Sequence, residues 1–154
     1  MEWLRDDPAR DYSALVQNQS AEWKSSKALL FPESVAVIGA GSSGLGRLVL
    51  DHLIQSGYAG TLRVVNPKRG EVASIPTVSS VDELPEAPDL AVVAIGREKA
   101  LFAVRDLARK GCASAIVVSA GFAELDARGE ELQGSMVSSA RRHGMRLLGP
   151  NCMG

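Results

Sequence analysis

The chain has 154 residues, 45% hydrophobic and 23% charged, with a formal net charge of −1. That is enough for one globular domain with a real core, without a basic surface for nucleic acid. No run approaches the roughly 18 apolar residues of a membrane span, and the acidic, polar start MEWLRDDPARDYSALVQ has no signal-peptide apolar region, which predicts a cytoplasmic protein.

Residues 1–30 carry both tryptophans, Trp3 and Trp23, several charges and no strand pattern. They predict an N-terminal arm or a short helix between Tyr12 and Leu30, ended by Pro32. From Ser34 a regular alternation begins. Ser34–Ile38 is a β-branched apolar run and predicts a buried strand. Leu45–Ser56 follows as a helix, with Leu45, Leu48, Val49, Leu53 and Ile54 on the inward side and Gly57 as its left-handed stop. Leu62–Val65 is a second strand, closed by Asn66-Pro67-Lys68. Val72–Pro76 predicts a brief extended piece and Ser80–Leu84 a short helix. Asp89–Ile95 is a third strand. Glu98–Lys110 is a helix with Leu101, Phe102, Val104, Leu107 and Ala108 inward, closed by Gly111. Ala113–Ser119 is a fourth strand, Gly129–His143 a helix ended by Gly144, and Met145–Leu148 a fifth strand.

Strands apolar on both faces belong to a parallel sheet covered on both sides. With right-handed crossovers, the alternation predicts an α/β fold: a doubly wound, Rossmann-like parallel sheet over residues 31–154.

The segment GAGSSGLG, residues 39–46, joins the first strand to the first helix and contains GxGxxG. Gly39 permits a tight turn out of the strand, Gly41 lets backbone approach a ligand, and Gly44 or Gly46 allows close helix packing. The helix start offers free N–H groups and a positive dipole end to an anion, and Ser42 and Ser43 add hydroxyl donors. A ribose diol, as in NAD, needs an acid at the end of the second strand. Here the strand ends in Asn66, and Lys68 and Arg69 follow. Those cations suit an extra phosphate near an adenosine, as in NADP or the 3′-phosphate of coenzyme A; the alternative for them is a solvated turn.

The stretches LFPESVAVIGAGSSGLG, VVNPKRGEV, DELPEAPDLAVVAI, AIVVSAGFAE and GMRLLGPNCMG follow one another over residues 29–154. In that order they resemble the CoA-binding domain of NDP-forming acyl-CoA synthetases of the acetate–CoA ligase type, relatives of the succinyl-CoA synthetase α subunit. The resemblance implies coenzyme A held across the C-terminal edge of the sheet. Gly39, Ser42, Ser43 and Gly46 fall on the family's phosphate loop, and Lys68 on its NPK lysine. Ile95 and Gly96 fall where the family flanks adenine and pantetheine. The family usually reads Val-Pro there, so Gly96-Arg97 departs, and Arg97 is either a further phosphate cation or a solvent-exposed helix start. The glycine loop is also shorter than the family's, with Gly41 in place of a serine. Ser119 and Gly121 lie beside the ligand cleft, and Glu124 either orients a partner or faces solvent. Asn151 and Cys152 sit near the CoA thiol, with Cys152 not a nucleophile.

In such ligases a phosphohistidine lies in a following domain, and nucleotide binds an ATP-grasp portion. The resemblance therefore implies missing downstream ligase domains or a partner subunit, with the isolated chain inactive and GPNCMG a point where a longer protein continues. A homo-oligomer is compatible. A fused acetyltransferase with the same domain, a standalone CoA-sensing module and an NADP-binding oxidoreductase or redox sensor are the alternatives. Against the last, the only tyrosines are Tyr12 and Tyr58, so no catalytic Tyr/Lys pair is evident. Cys112 is expected in the core, His52 and His143 as structural residues, and no metal site is expected from two cysteines and two histidines.

Overall fold

β1 (Ser34–Ile38) lies near the middle of a seven-stranded sheet of order β3-β4-β2-β1-β5-β6-β7. The other strands are β2 (Thr61–Val65), β3 (Glu71–Val72), β4 (Ile75–Val78), β5 (Leu90–Val93), β6 (Ser114–Val117) and β7 (Arg146–Leu148). The computed structural model describes residues 21–152 apart from Arg69. The expected arm before Ala21, with Trp3, lies outside the described residues, as does the cation expected at Arg69. All strand pairs are parallel except β3–β4. The chain runs outward from β1 through β2 to β4, then returns to β5 on the other side of β1 and continues to β7. The strand order thus reverses between β1 and β5, which opens a crevice at their C-terminal ends.

Alternation along β1 builds two cores. Ala36 and Ile38 face a cluster completed by α3 (Arg97–Lys110) and α4 (Ala127–Arg142), including Val104, Leu107, Met136 and Phe122. Val35 and Val37 face the opposite cluster, with Leu50 of α2 (Leu45–Gln55) and Leu29 of α1 (Ala21–Leu30). Full burial of each such Val or Leu stabilises the fold by roughly 1.5–3 kcal/mol. α1 lies over β6 and β7, where the Ser114 hydroxyl donates to the Ser25 carbonyl at 2.5 Å.

The structure corrects several local expectations. Leu48 and Ile54 are 49% and 43% exposed, while Gly46 and Leu50 are buried. The close contact of Gly46 with the preceding loop turns Gly46 and Leu50 inward, while Leu45, Val49 and Leu53 pack partly buried against the same cluster, as expected. Phe102 is likewise exposed, because α3 packs through Ala100, Val104 and Leu107, and residue 102 lies nearly opposite. Ser80–Leu84 forms only bends and a turn, closed by Leu84 N–H to the Val81 carbonyl. The extended piece at Val72–Pro76 is a hairpin, β3–β4, turning at Ala73 and Ser74, whose φ values of 50° and 62° are those of a primed two-residue turn. β4 then joins the sheet beside β2, a strand that the residues had not announced.

Candidate functional site

The glycine loop leaves β1 at the crevice. Gly39 has φ +93°, and a Cβ there would sit 2.2 Å from Ile95 Cγ2 and 2.8 Å from the Ala94 carbonyl oxygen. The exits of β1 and β5 therefore touch through a position that admits only glycine. A Cβ on Gly46 would meet the Gly39 and Ala40 backbone at 3.0 Å, so Gly46 is the close-packing glycine of the loop. Gly41 differs. Its nearest neighbours would stand 3.9 Å from a Cβ, so nothing in the protein itself demands glycine there. Gly44 forms the N-cap of α2 with φ 87° and provides no side-chain cap, which leaves the first-turn N–H groups of α2 directed at the crevice. Ser42 and Ser43 are exposed beside them.

The turn after β2 is tied to this loop. The Asn66 side-chain amide donates to the Ala40 carbonyl at 2.7 Å, and its oxygen accepts the Lys68 N–H at 2.9 Å. One asparagine thus closes its own turn and holds the glycine loop. A cleft of about 380 Å³ opens beside it, floored by Ile38, Val65, Val81 and Ile95 and rimmed by Lys68, Ser79, Ser80 and Lys99. A larger hollow, about 540 Å³, is lined by Trp23, Phe31, Glu33 and Asp89, next to the N-terminal ends of the strands and away from the glycine loop.

The remaining candidates lie along the same edge, joined by hydrogen bonds. The Ser119 hydroxyl donates to the Ile95 carbonyl at 2.6 Å, and the Asn151 N–H to the Ser119 carbonyl at 2.9 Å. Asn151 is left-handed, with φ 56°. Gly149 has φ +91°, and a Cβ on it would lie 2.4 Å from the Val117 carbonyl oxygen. Cys152 is half-buried there, its N–H directed to the same carbonyl at 3.4 Å. Gly96 is the exposed N-cap of α3.

Arg97 is neither a free cation nor a simple exposed helix start. Its guanidinium donates to the Gly121 carbonyl at 2.8 Å and to both Asp126 carboxylate oxygens at 2.9 and 3.0 Å, and pairs with Glu98 at 3.0 Å. Glu124 accepts the N–H groups of Gly121 and Phe122 at 2.7 and 3.2 Å. The Gly121 N–H holds the Glu124 carboxyl below its ordinary range, helped by the Phe122 N–H and by Arg97. Asp126 is lowered by the Gly129 N–H first, which it caps at 2.6 Å, and then by Arg97. This brace fixes the loop between β6 and α4. The sequence offered only Glu124 and Arg97 as open cases, because Glu124 folds back on N–H groups of its own loop and the partners of Arg97 lie 24 and 29 positions away. Asp126, Gly149 and Lys99 were missed; an Asp directly before a helix was the available signal for the first.

The sequence profile of CoA binding domains matches residues 33–154. The chain belongs to this family. The domain is 42% identical over 128 residues to a trans-feruloyl-CoA synthase of an unknown prokaryotic organism. It is 38% identical over 128 residues to an ADP-forming acetate–CoA ligase I of Archaeoglobus fulgidus. Each alignment covers 82% of this chain and 18% of the longer protein. The solved apo structure of the dinucleotide-forming acetyl-coenzyme A synthetase 1 of Ca. Korarchaeum cryptofilum shares the fold, with a TM-score of 0.78 and 32% identity. That likeness covers 83% of this chain and 28% of the other. The CoA-binding domain is thus homologous to one part of NDP-forming acyl-CoA synthetases, and its ligand is coenzyme A. Its edge fits such a ligand: an uncapped helix start, a glycine with no close neighbour, an apolar cleft and lysines, without an acid at the end of β2.

Proposed function

We propose that coenzyme A lies across the C-terminal edge of the sheet. Its pyrophosphate meets the 39–46 loop and the start of α2, its adenine enters the apolar cleft of Ile38, Val65 and Ile95, and its 3′-phosphate meets Lys68. Its pantetheine arm runs past Gly96, Ser119 and Gly121 toward Asn151 and Cys152. Bound CoA supplies the thiol that accepts an acyl group, and the residues of this chain bind and orient it. Cys152 lines the thiol end without acting as a nucleophile. We further propose that the domain works within an NDP-forming acid–CoA ligase in the cytoplasm, the acyl chemistry belonging to other parts of that enzyme. Among the described residues no helix is long and apolar enough to cross a membrane.

The observation that carries this reading is the bond from Asn66 to Ala40, which holds a phosphate-type loop and a lysine-bearing turn on one edge. It also disfavours a bare ribose diol. An acid at position 66 would set a carboxylate oxygen against the Ala40 carbonyl, where the amide now donates. Calorimetry with CoA, 3′-dephospho-CoA, NADP and NAD tests it. The expected order places CoA first, and tighter binding of NAD would sink the assignment.

A further inference from the structure

Lys99 stands across the cleft from the Lys68 turn. It lies in the first turn of α3, and Lys99, Ala103 and Asp106 repeat at helical spacing along the wall of the cleft. A lysine in a first turn opposes the positive end of the helix dipole, a local cost that a bound anion offsets. Among the described residues neither Lys68 nor Lys99 is paired with a carboxylate, although both are exposed. The nearby acids are engaged elsewhere: Asp106 pairs with Arg109, and Glu83 accepts the Ser79 N–H at 2.8 Å. The cleft therefore presents two ammonium groups from opposite walls over an apolar floor.

We propose that Lys99 is a specificity-determining residue of this domain: with Lys68 it forms a two-sided clamp for the terminal phosphomonoester of the adenosine end of the ligand. This rests on the placement of CoA given above. A phosphomonoester carries up to two charges near neutral pH, and one lysine satisfies only part of it. The clamp thus makes the domain prefer a 3′-phosphorylated ligand over its dephosphorylated form.

The test is calorimetry of the full chain with CoA and with 3′-dephospho-CoA, for wild type, K99A, K68A and K99R. The K99A variant is expected to bind CoA about tenfold more weakly, the loss of one charge-assisted contact, and dephospho-CoA as wild type does. K99R restores most of the preference by keeping the charge. Circular dichroism checks that the exposed substitution leaves the fold intact. A K99A variant that keeps the wild-type preference for CoA, or that loses both ligands equally, overturns the role of Lys99 and leaves the placement of CoA standing. A wild-type chain that holds both ligands equally removes Lys68 and Lys99 together, and with them the placement of the 3′-phosphate.

Discussion

The Asn66 amide donates to the Ala40 carbonyl at 2.7 Å, joining the turn after β2 to the glycine loop after β1. Its amide oxygen accepts the Lys68 N–H and closes the turn. Asn66→Ala breaks both bonds and should cost about 1–3 kcal/mol of stability, at ordinary hydrogen-bond magnitudes. CoA affinity should fall as well, since the loop and the lysine turn lose their common support. Urea denaturation and calorimetry read the two effects separately. Asn66→Asp should be worse for binding than Asn66→Ala, because it adds a negative charge facing both the carbonyl and the ligand phosphates. A variant that unfolds at the wild-type midpoint would show that the tie is energetically idle.

Two glycines of one loop should behave in opposite ways. Gly39→Ala forces a Cβ into Ile95 and the Ala94 carbonyl at positive φ, and should destabilise by about 2–6 kcal/mol, combining backbone strain with overpacking. Gly41→Ala meets nothing closer than 3.9 Å, so the melting temperature should hardly change. Its added methyl points into the space assigned to CoA, so affinity should drop by roughly tenfold, a change of about 1.4 kcal/mol. Unchanged CoA binding in Gly41→Ala would remove that glycine from the ligand surface.

The brace around Gly121 has an acid limit. Glu124 is held below its ordinary pKa by the Gly121 N–H, and Asp126 by the Gly129 N–H and Arg97. Carboxylates whose folded pKa is lowered add stability above their unfolded pKa and lose it as pH falls through the folded value. The loop should therefore hold above about pH 5 and loosen as pH drops through and below the usual carboxylate range near 4. In an NMR titration the Gly121 and Phe122 amide signals should follow Glu124 with a midpoint below that of an ordinary glutamate. Glu124→Gln should abolish that titration. A midpoint at or above the ordinary value would mean that the two N–H bonds do not form.

The two cysteines should differ in reactivity. Burial pushes the Cys112 thiol up to about 12, and its Sγ–H lies 3.1 Å from the Ser114 carbonyl. Cys152 is half-buried at the sheet edge. Iodoacetamide at pH 8 should modify one thiol in the folded protein and two in urea, because the thiolate is the reactive form. Peptide mapping should find the native adduct on Cys152, and saturating CoA should slow it. Modification of Cys112 in the folded state would contradict its place in the core.

Much of the fold was legible in the residues. Five short apolar-rich runs specify the parallel strands, of which β1, β5 and β6 are almost wholly buried, and each expected strand lies within a residue or two of its observed limits. Glycine stops at Gly57 and Gly111 were equally legible, because a left-handed residue after an amphipathic run has few other uses. The hairpin at Ala73–Ser74 was not, since neither residue favours positive φ and tertiary pairing of β4 with β2 imposes it. Helix rotation was half legible: periodicity identifies an apolar side, but contact at Gly46 decides which residues of it are covered.

The candidate site divides in the same way. Local chemistry determined the phosphate loop, the lack of an acid after β2 and the lysine beside it, since each depends on residues adjacent in the chain. Only the tertiary structure decided that Gly46 packs the loop while Gly41 has no close neighbour, that Arg97 braces the Gly121 loop through Asp126, and that Lys99 faces the cleft of Lys68. The Arg97 and Lys99 relations join residues 24 to 31 positions apart, carried on separate elements of the fold. Residue type announces what a side chain can do; the sheet, by gathering the C-terminal ends of its parallel strands at one edge, decides which of them do it together.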